Sequence, residues 1–117
     1  MTAKLDLPDI RQGETWEHTF VLTNETNEPI DLTGCLFLMQ IRTKPGGAIL
    51  FTLSQGDDQI VVDGPSGTIK LVLSNLITRD FLWKEGVYDL LMIDTIGRRK
   101  YLVEGVATVS RRVTEES

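Results

Sequence analysis

The stretch that decides the fold is EPIDLTGCLFLMQIRTKPGG, residues 28–47. A polar corner, Pro29-Ile30-Asp31-Leu32-Thr33-Gly34, runs directly into Cys35-Leu36-Phe37-Leu38-Met39-Gln40-Ile41-Arg42. Pro29, Asp31, Thr33 and Gly34 are turn chemistry, and Asp31 is expected to cap the corner's backbone through Thr33 or Gly34. In an extended strand successive side chains point to opposite faces. Cys35, Phe37, Met39 and Ile41 therefore share one face, and Leu36, Leu38, Gln40 and Arg42 share the other. A strand that covers one core alternates apolar and polar residues. This one is apolar on both faces across 35–39, so something has to be said about what lies over the second face.

Working outward, turn signals recur at 11–13, 24–29, 44–47, 55–58, 63–67 and 95–98. Between them lie short runs rich in Val, Ile, Leu, Thr and aromatics, the pattern of an antiparallel sandwich or barrel. Residues 14–23 alternate, with Trp16, His18, Phe20 and Leu22 on one side. In 67–73, Ile69, Leu71 and Leu73 point inward and Lys70 outward. Residues 87–94 and 100–109 read as a hairpin joined at 95–99, with Tyr101, Val103, Ala107 and Val109 on the core face and Glu104 in solvent. Residues 49–54 and 59–63 form two shorter strands. The exception is SNLITRDFLWKEG, 74–86. Its Leu76, Ile77, Phe81 and Leu82 recur at helical spacing, Ser74 or Asn75 is a plausible N-cap, and Gly86 is a C-terminal stop. It predicts one short helix or pair of turns near 75–83 that crosses from one sheet to the other and plugs an open end.

The chain has 117 residues, 41% of them apolar and 25% charged, which is enough for one core and not for two of ordinary size. A single domain over 1–117 is expected, with an N-terminal arm at 1–9 that is loose unless held and a frayed tail at 114–117. The net charge of -5 argues against binding to a phosphate backbone. The basic clusters Arg98-Arg99-Lys100 and Arg111-Arg112 read as a solvated turn and a solvated tail. No run approaches the roughly 20 apolar residues of a membrane span, and nothing near the start resembles a signal peptide. Neither nucleic acid nor a membrane is expected as a partner, and synthesis is expected in the cytoplasm.

Chemistry is sparse. His18 is the single histidine and Cys35 the single cysteine, so a multi-histidine metal site and an intrachain disulfide are both excluded. His18 shares a face with Trp16 and Phe20 and reads as an edge-of-core side chain. The apolar neighbours of Cys35 are expected to raise its pKa rather than activate it. Asp57 and Asp58 lack the alternating ligand spacing of a calcium loop. Gly64-Pro65-Ser66-Gly67 is too short for a phosphate loop and has no lysine. Asp89, set inside an apolar strand, reads as an exposed position or half of an interface ion pair. No catalytic, cofactor-binding or metal-binding set emerges, and a non-enzyme is expected.

Several of these segments follow one another in a fixed order: Gln12-Gly13-Glu14, Pro29 to Gly34, Arg42, Gly67-Thr68-Ile69, Tyr88-Asp89-Leu90 and Gly105-Val106. Across residues 10–114 this order resembles small bacteriophage and prophage structural proteins, including the N-terminal domain of phage upper baseplate proteins. The resemblance implies an immunoglobulin-like antiparallel β-sandwich of about 7–9 strands used as a virion building block in the tail, baseplate or fibre-attachment region. It implies no catalytic residues. Longer relatives continue into a coiled coil or receptor-binding part, whereas this chain stops at Ser117, so an adaptor, fibre-anchoring or decorating role is expected over host recognition. Head decoration and carbohydrate binding are the alternatives, and the latter would draw on Trp16 or Trp83.

The second face then acquires a meaning. A sandwich buries only the inner face of each sheet. Leu36 and Leu38, with Val87, Leu91 and Ile93 if their strands pair, form an apolar patch of the kind that marks a protein partner. A homo-oligomer docked on other virion proteins is expected. The internal alternative is that Leu5, Leu7 and Ile10 of the arm, or the 74–86 segment, cover the face.

Overall fold

In the computed structural model, which describes residues 3–114, the corner feeds a strand as expected. The described elements are β1 (Ala3–Lys4), β2 (Ile10–Arg11), β3 (Trp16–Val21), β4 (Leu36–Arg42), β5 (Ile49–Ser54), β6 (Ile60–Asp63), β7 (Thr68–Leu73), α1 (Asn75–Thr78), β8 (Glu85–Ile93) and β9 (Arg99–Ser110). They build two sheets. The larger runs β1-β9-β8-β4-β5 with β2 also paired to β9, and the smaller runs β3-β7-β6.

The core lies between the sheets and follows the alternation of the sequence. Phe37, Met39 and Ile41 of β4, Leu90 of β8, and Val103 and Ala107 of β9 supply one wall. Trp16, Phe20, Ile69, Leu71 and Leu73 supply the other. Removing these side chains from water is the main favourable term in forming the sandwich.

The arm departs from expectation. From Ala3 onward it is an edge strand, not a loose end. It runs parallel to β9, with Ala3 opposite Val103 and Ile10 opposite Val109, so the larger sheet is mixed and not wholly antiparallel. The Leu5 amide donates to the Glu104 carbonyl (2.8 Å) and the Leu7 amide to Val106 (2.9 Å). Two side-chain effects hold it there. Leu7 and Ile10 are buried in the core, and the Tyr88 hydroxyl donates to the Leu5 carbonyl. Gly105 is what permits the approach, because a side-chain carbon there would collide with that carbonyl. Of the expected tail at 114–117, Thr114 is exposed and outside any strand, and the rest lies outside the described residues.

Two further expectations are corrected in detail. The short helix expected near 75–83 is present but confined to Asn75–Thr78; Ser74 takes the N-cap position without a side-chain cap bond. After it the chain follows tertiary partners. The Thr78 hydroxyl donates to the Glu14 carbonyl (2.8 Å), and the Gln12 side chain donates to the Phe81 carbonyl (3.0 Å). Phe81 packs in the core against Phe51 and Trp83. Leu76 and Leu82 are exposed, and Gly86 lies inside β8, with the Arg42 carbonyl too close to admit a side chain. The segment does cross from the smaller sheet to the larger. Tyr101 is the other correction. A bulge shifts the register between Leu90 and Leu91, which pair with Val103 and Tyr101 and leave Leu102 as the extra residue. One inserted residue reverses parity, so Tyr101 sits on the outer face.

Candidate interface on the outer face of the larger sheet

Strand register groups the outward side chains into rows across the sheet. Leu36, Ile93 and Arg99 make the first; Ser54, Leu38, Leu91 and Tyr101 the second. Thr52, Gln40, Asp89 and Glu104 make the third, and Ile49, Arg42, Val87 and Val106 the fourth. All five residues expected at an interface, Leu36, Leu38, Val87, Leu91 and Ile93, therefore lie on one face.

Among the described residues neither internal cover lies over this face. The arm widens the sheet and sends Leu7 and Ile10 inward, and Leu36 remains 59% and Leu38 36% exposed. Tyr101 is 50% exposed, while Leu91, between Leu38 and Tyr101 in its row, is 8% exposed. The middle of the face is thus an apolar band.

The band ends differently at its two sides. Beyond the first row lies the β8–β9 turn, where Ile96, Arg98, Arg99 and Lys100 are exposed. Arg98 is held by Asp94 at 3.1 Å. On the other side Asp89 stands directly opposite Glu104. Burial pushes the Asp89 carboxyl up, Glu104 adds to this, and Arg42 pulls it back. The Arg42 guanidinium is itself engaged, donating to the Gly47 carbonyl (2.7 Å) and the Gln40 side chain (2.9 Å). A cleft of about 680 Å³ opens over this acidic part, with the arm (Lys4, Asp6) and the Pro45-Gly46 loop among its walls.

The corner motif has a different job. Asp31 accepts from the Thr33 amide (2.9 Å) and hydroxyl (2.6 Å), as expected, and these bonds hold its carboxyl below the usual range. The Leu32 amide donates to the Gly64 carbonyl (2.8 Å), and Gly64 sits so near the Thr33 backbone that a side-chain carbon would clash. Leu32 and Thr33 of the corner clip the entry of β4 to the β6–β7 turn, while Pro29 bridges to Thr23 and Gly34 sits against Thr95.

The remaining chemical candidates stay apart from the apolar centre of this face, Asp57 reaching only Ser54 at the end of its second row. His18 lies on β3 opposite Leu71, edge-on to Phe20, and burial pushes its imidazole down. Burial, then Asp94 and Asp31, push the Cys35 thiol up, as its neighbours implied. Trp16 is buried, donating to the Pro8 carbonyl at 3.2 Å, and Trp83 is half-buried against Phe81. Asp57 accepts from the Ser54 hydroxyl at 3.1 Å. Among the described residues no three His, Cys, Asp or Glu side chains are grouped to hold a metal ion, and no helix is long and apolar enough to cross a membrane. Arg99, Tyr101 and the Asp89–Glu104 pair were not picked out as a set by sequence reasoning. Only the register shift at Leu102 aligns them.

No family model matches the chain, and no curated protein matches it. Among solved structures it is similar to a crystal structure of a chicken TCR, with a TM-score of 0.51 and 13% identity, over 98% of this chain and 56% of that one. The chain thus spans little more than half the length of that neighbour. The likeness concerns the fold alone: the two sheets form an immunoglobulin-like β-sandwich.

Proposed function

We propose that this chain is a non-enzymatic structural subunit of a bacteriophage particle, in the tail, baseplate or fibre-attachment region, that works by oligomerising and docking on neighbouring virion proteins. The observation that carries the docking half is the apolar band on the outer face of the larger sheet, where Leu36, Leu38 and Tyr101 are exposed around the buried Leu91. A sandwich whose core is already closed by its second sheet has no internal use for such a band, and bands of this kind are partner sites. The phage half rests on the ordered motifs from Gln12 to Val106. The test is to purify phage particles from the organism that encodes the chain, identify their proteins by mass spectrometry, and locate the chain by immunogold microscopy. Label at the tail tip is the expected result. Label over the head shell would move the reading to a decoration protein, and absence from particles would sink it.

A carbohydrate-binding module is the second reading. It now rests on Tyr101, half-exposed beside the cleft and its carboxylates, in place of the two tryptophans. A glycan-array signal lost in Tyr101→Ala would favour it.

A further inference from the structure

We infer that the outer face of the larger sheet packs against the same face of a second copy of this chain, about a two-fold axis lying along the Leu38–Leu91–Tyr101 row. The inference rests on reading that face as a docking surface, and it supplies the occupant and the geometry. A two-fold that lays one sheet face upon its copy must lie in the plane between them. Set across the strands above the second row, it keeps each strand opposite its own equivalent, reversed in direction, and exchanges the rows on either side. The Leu36–Ile93–Arg99 row of each copy then faces the Gln40–Asp89–Glu104 row of the other.

The charges fit this arrangement twice over. Arg99 and Glu104 are both on β9, one row to either side of the axis, and both are exposed. The operation places each Arg99 over the other copy's Glu104 and beside its Asp89, while Leu38 and Tyr101, on either side of the buried Leu91, meet themselves. Adjacent rows are about 7 Å apart and packed sheets about 10 Å apart, distances an arginine side chain spans. Within one chain Asp89 and Glu104 are like charges directly opposite, which is unfavourable, with Lys4 in register on the far side of Glu104; a guanidinium from above adds a counter-charge on the Asp89 side. A different partner would use one end of the face. A second copy uses both ends, because an isologous interface must be complementary to itself, and a face with Arg99 one row to one side of the apolar row and Asp89 and Glu104 one row to the other meets the condition.

The experiment is sedimentation velocity on the full chain across a concentration range, for wild type, Arg99→Glu, Glu104→Arg and a 1:1 mixture of the two variants. Wild type is expected to form a dimer. Each variant alone, meeting its own like charge, should show a dissociation constant raised on the order of tenfold or more. The mixture should recover a dimer of mixed composition, since each substituted residue then faces its opposite. A wild type that stays monomeric at all concentrations overturns the inference, as do variants that associate like wild type or a mixture that stays monomeric. Should a variant unfold, Tyr101→Cys in a Cys35→Ser background treated with a short bis-maleimide decides instead. Dimer cross-linking at position 101 is expected, and its absence counts against the axis. Presence in particles is measured separately, so failure of the dimer and failure of the virion reading are distinguishable.

Discussion

The two faces of β4 are made of similar side chains and have different fates. Phe37, Met39 and Ile41 are buried, while Leu36 and Leu38, alternating with them, are exposed. Hydrophobicity alone does not separate the sets. What separates them is parity relative to the second sheet, which lies over one face only. An apolar residue on the wrong side of a closed sandwich is therefore information about something outside the chain. The contrast is weaker on β8, where Leu90 is fully buried among core residues and Leu91, one step on, belongs to the outer row yet is only 8% exposed.

The contrast is broken most directly by paired substitutions on β4. Met39→Ala removes a fully buried side chain and should cost roughly 2–5 kcal/mol through lost burial and a residual cavity. Leu36→Asp, one face away, should change the stability of the monomer by no more than about 0.5 kcal/mol. Urea denaturation at concentrations too low for association measures both. A Leu36→Asp loss as large as that of Met39→Ala would mean that the outer face is packed by the chain itself, and the distinction between faces would fall.

This contrast was legible in the sequence because β4 has no irregularity between Cys35 and Ile41, so counting by two holds. The two-sheet plan was legible for the same reason in 16–21 and 68–73. The face of Tyr101 was not, because a bulge is a backbone event that one extra residue produces without a side-chain signature. The helix is shorter than its apolar spacing suggested for a related reason. Leu76, Ile77, Phe81 and Leu82 have helical spacing, but Thr78 and Phe81 are held by residues 12–14, far away in sequence, and those bonds outweigh local propensity. The arm gave the least signal. Its strands are two residues long, and what fixes it is a tyrosine and a glycine far along the chain, Tyr88 on β8 and Gly105 on β9.

The arm offers the next test, since it belongs to the larger sheet by edge pairing and to the core by Leu7 and Ile10. Gly105→Val forces the Leu5 carbonyl away from β9 and should cost about 1–3 kcal/mol, as overpacking does. Tyr88→Phe deletes only the hydroxyl that reaches Leu5 and should cost about 1 kcal/mol. Both should speed amide exchange at Leu5 and Leu7 while leaving Met39 and Ile41 protected. Uniform loss of protection would show that the arm and the inner face unfold as one unit.

His18 tests the smaller sheet in the same spirit. Burial holds the folded imidazole below its ordinary value of 6.5, so the unfolded chain takes up the proton first as pH falls. The stability from a neutral His18 is complete above 6.5 and is lost as pH drops from there through the lowered folded value. Denaturation midpoints at neutral and mildly acidic pH should show this slope, and His18→Gln should flatten it. An unchanged slope in that variant would assign the effect to carboxylates.

The smallest effect expected is also the one that bears most on the outer face. Asp89 is a carboxyl whose folded pKa is raised above its ordinary value of 3.8. Its contribution to stability is therefore present below that value and lost as pH rises through the raised one, so at neutral pH the ionised side chain works against the fold. Asp89→Asn removes one of two facing like charges and should stabilise the monomer at neutral pH by about 0.2–1 kcal/mol, a gain that vanishes in acid. The same substitution should weaken self-association, because the residue opposite Arg99 across the two-fold has lost its charge. A change that strengthens the fold and weakens assembly would separate the two faces energetically: inner residues serve packing within the chain, and this outer carboxylate would serve contact with a second copy. If Asp89→Asn destabilises the monomer instead, Arg42 already satisfies the carboxylate within the chain, and the outer face has no charge left for a second copy to answer.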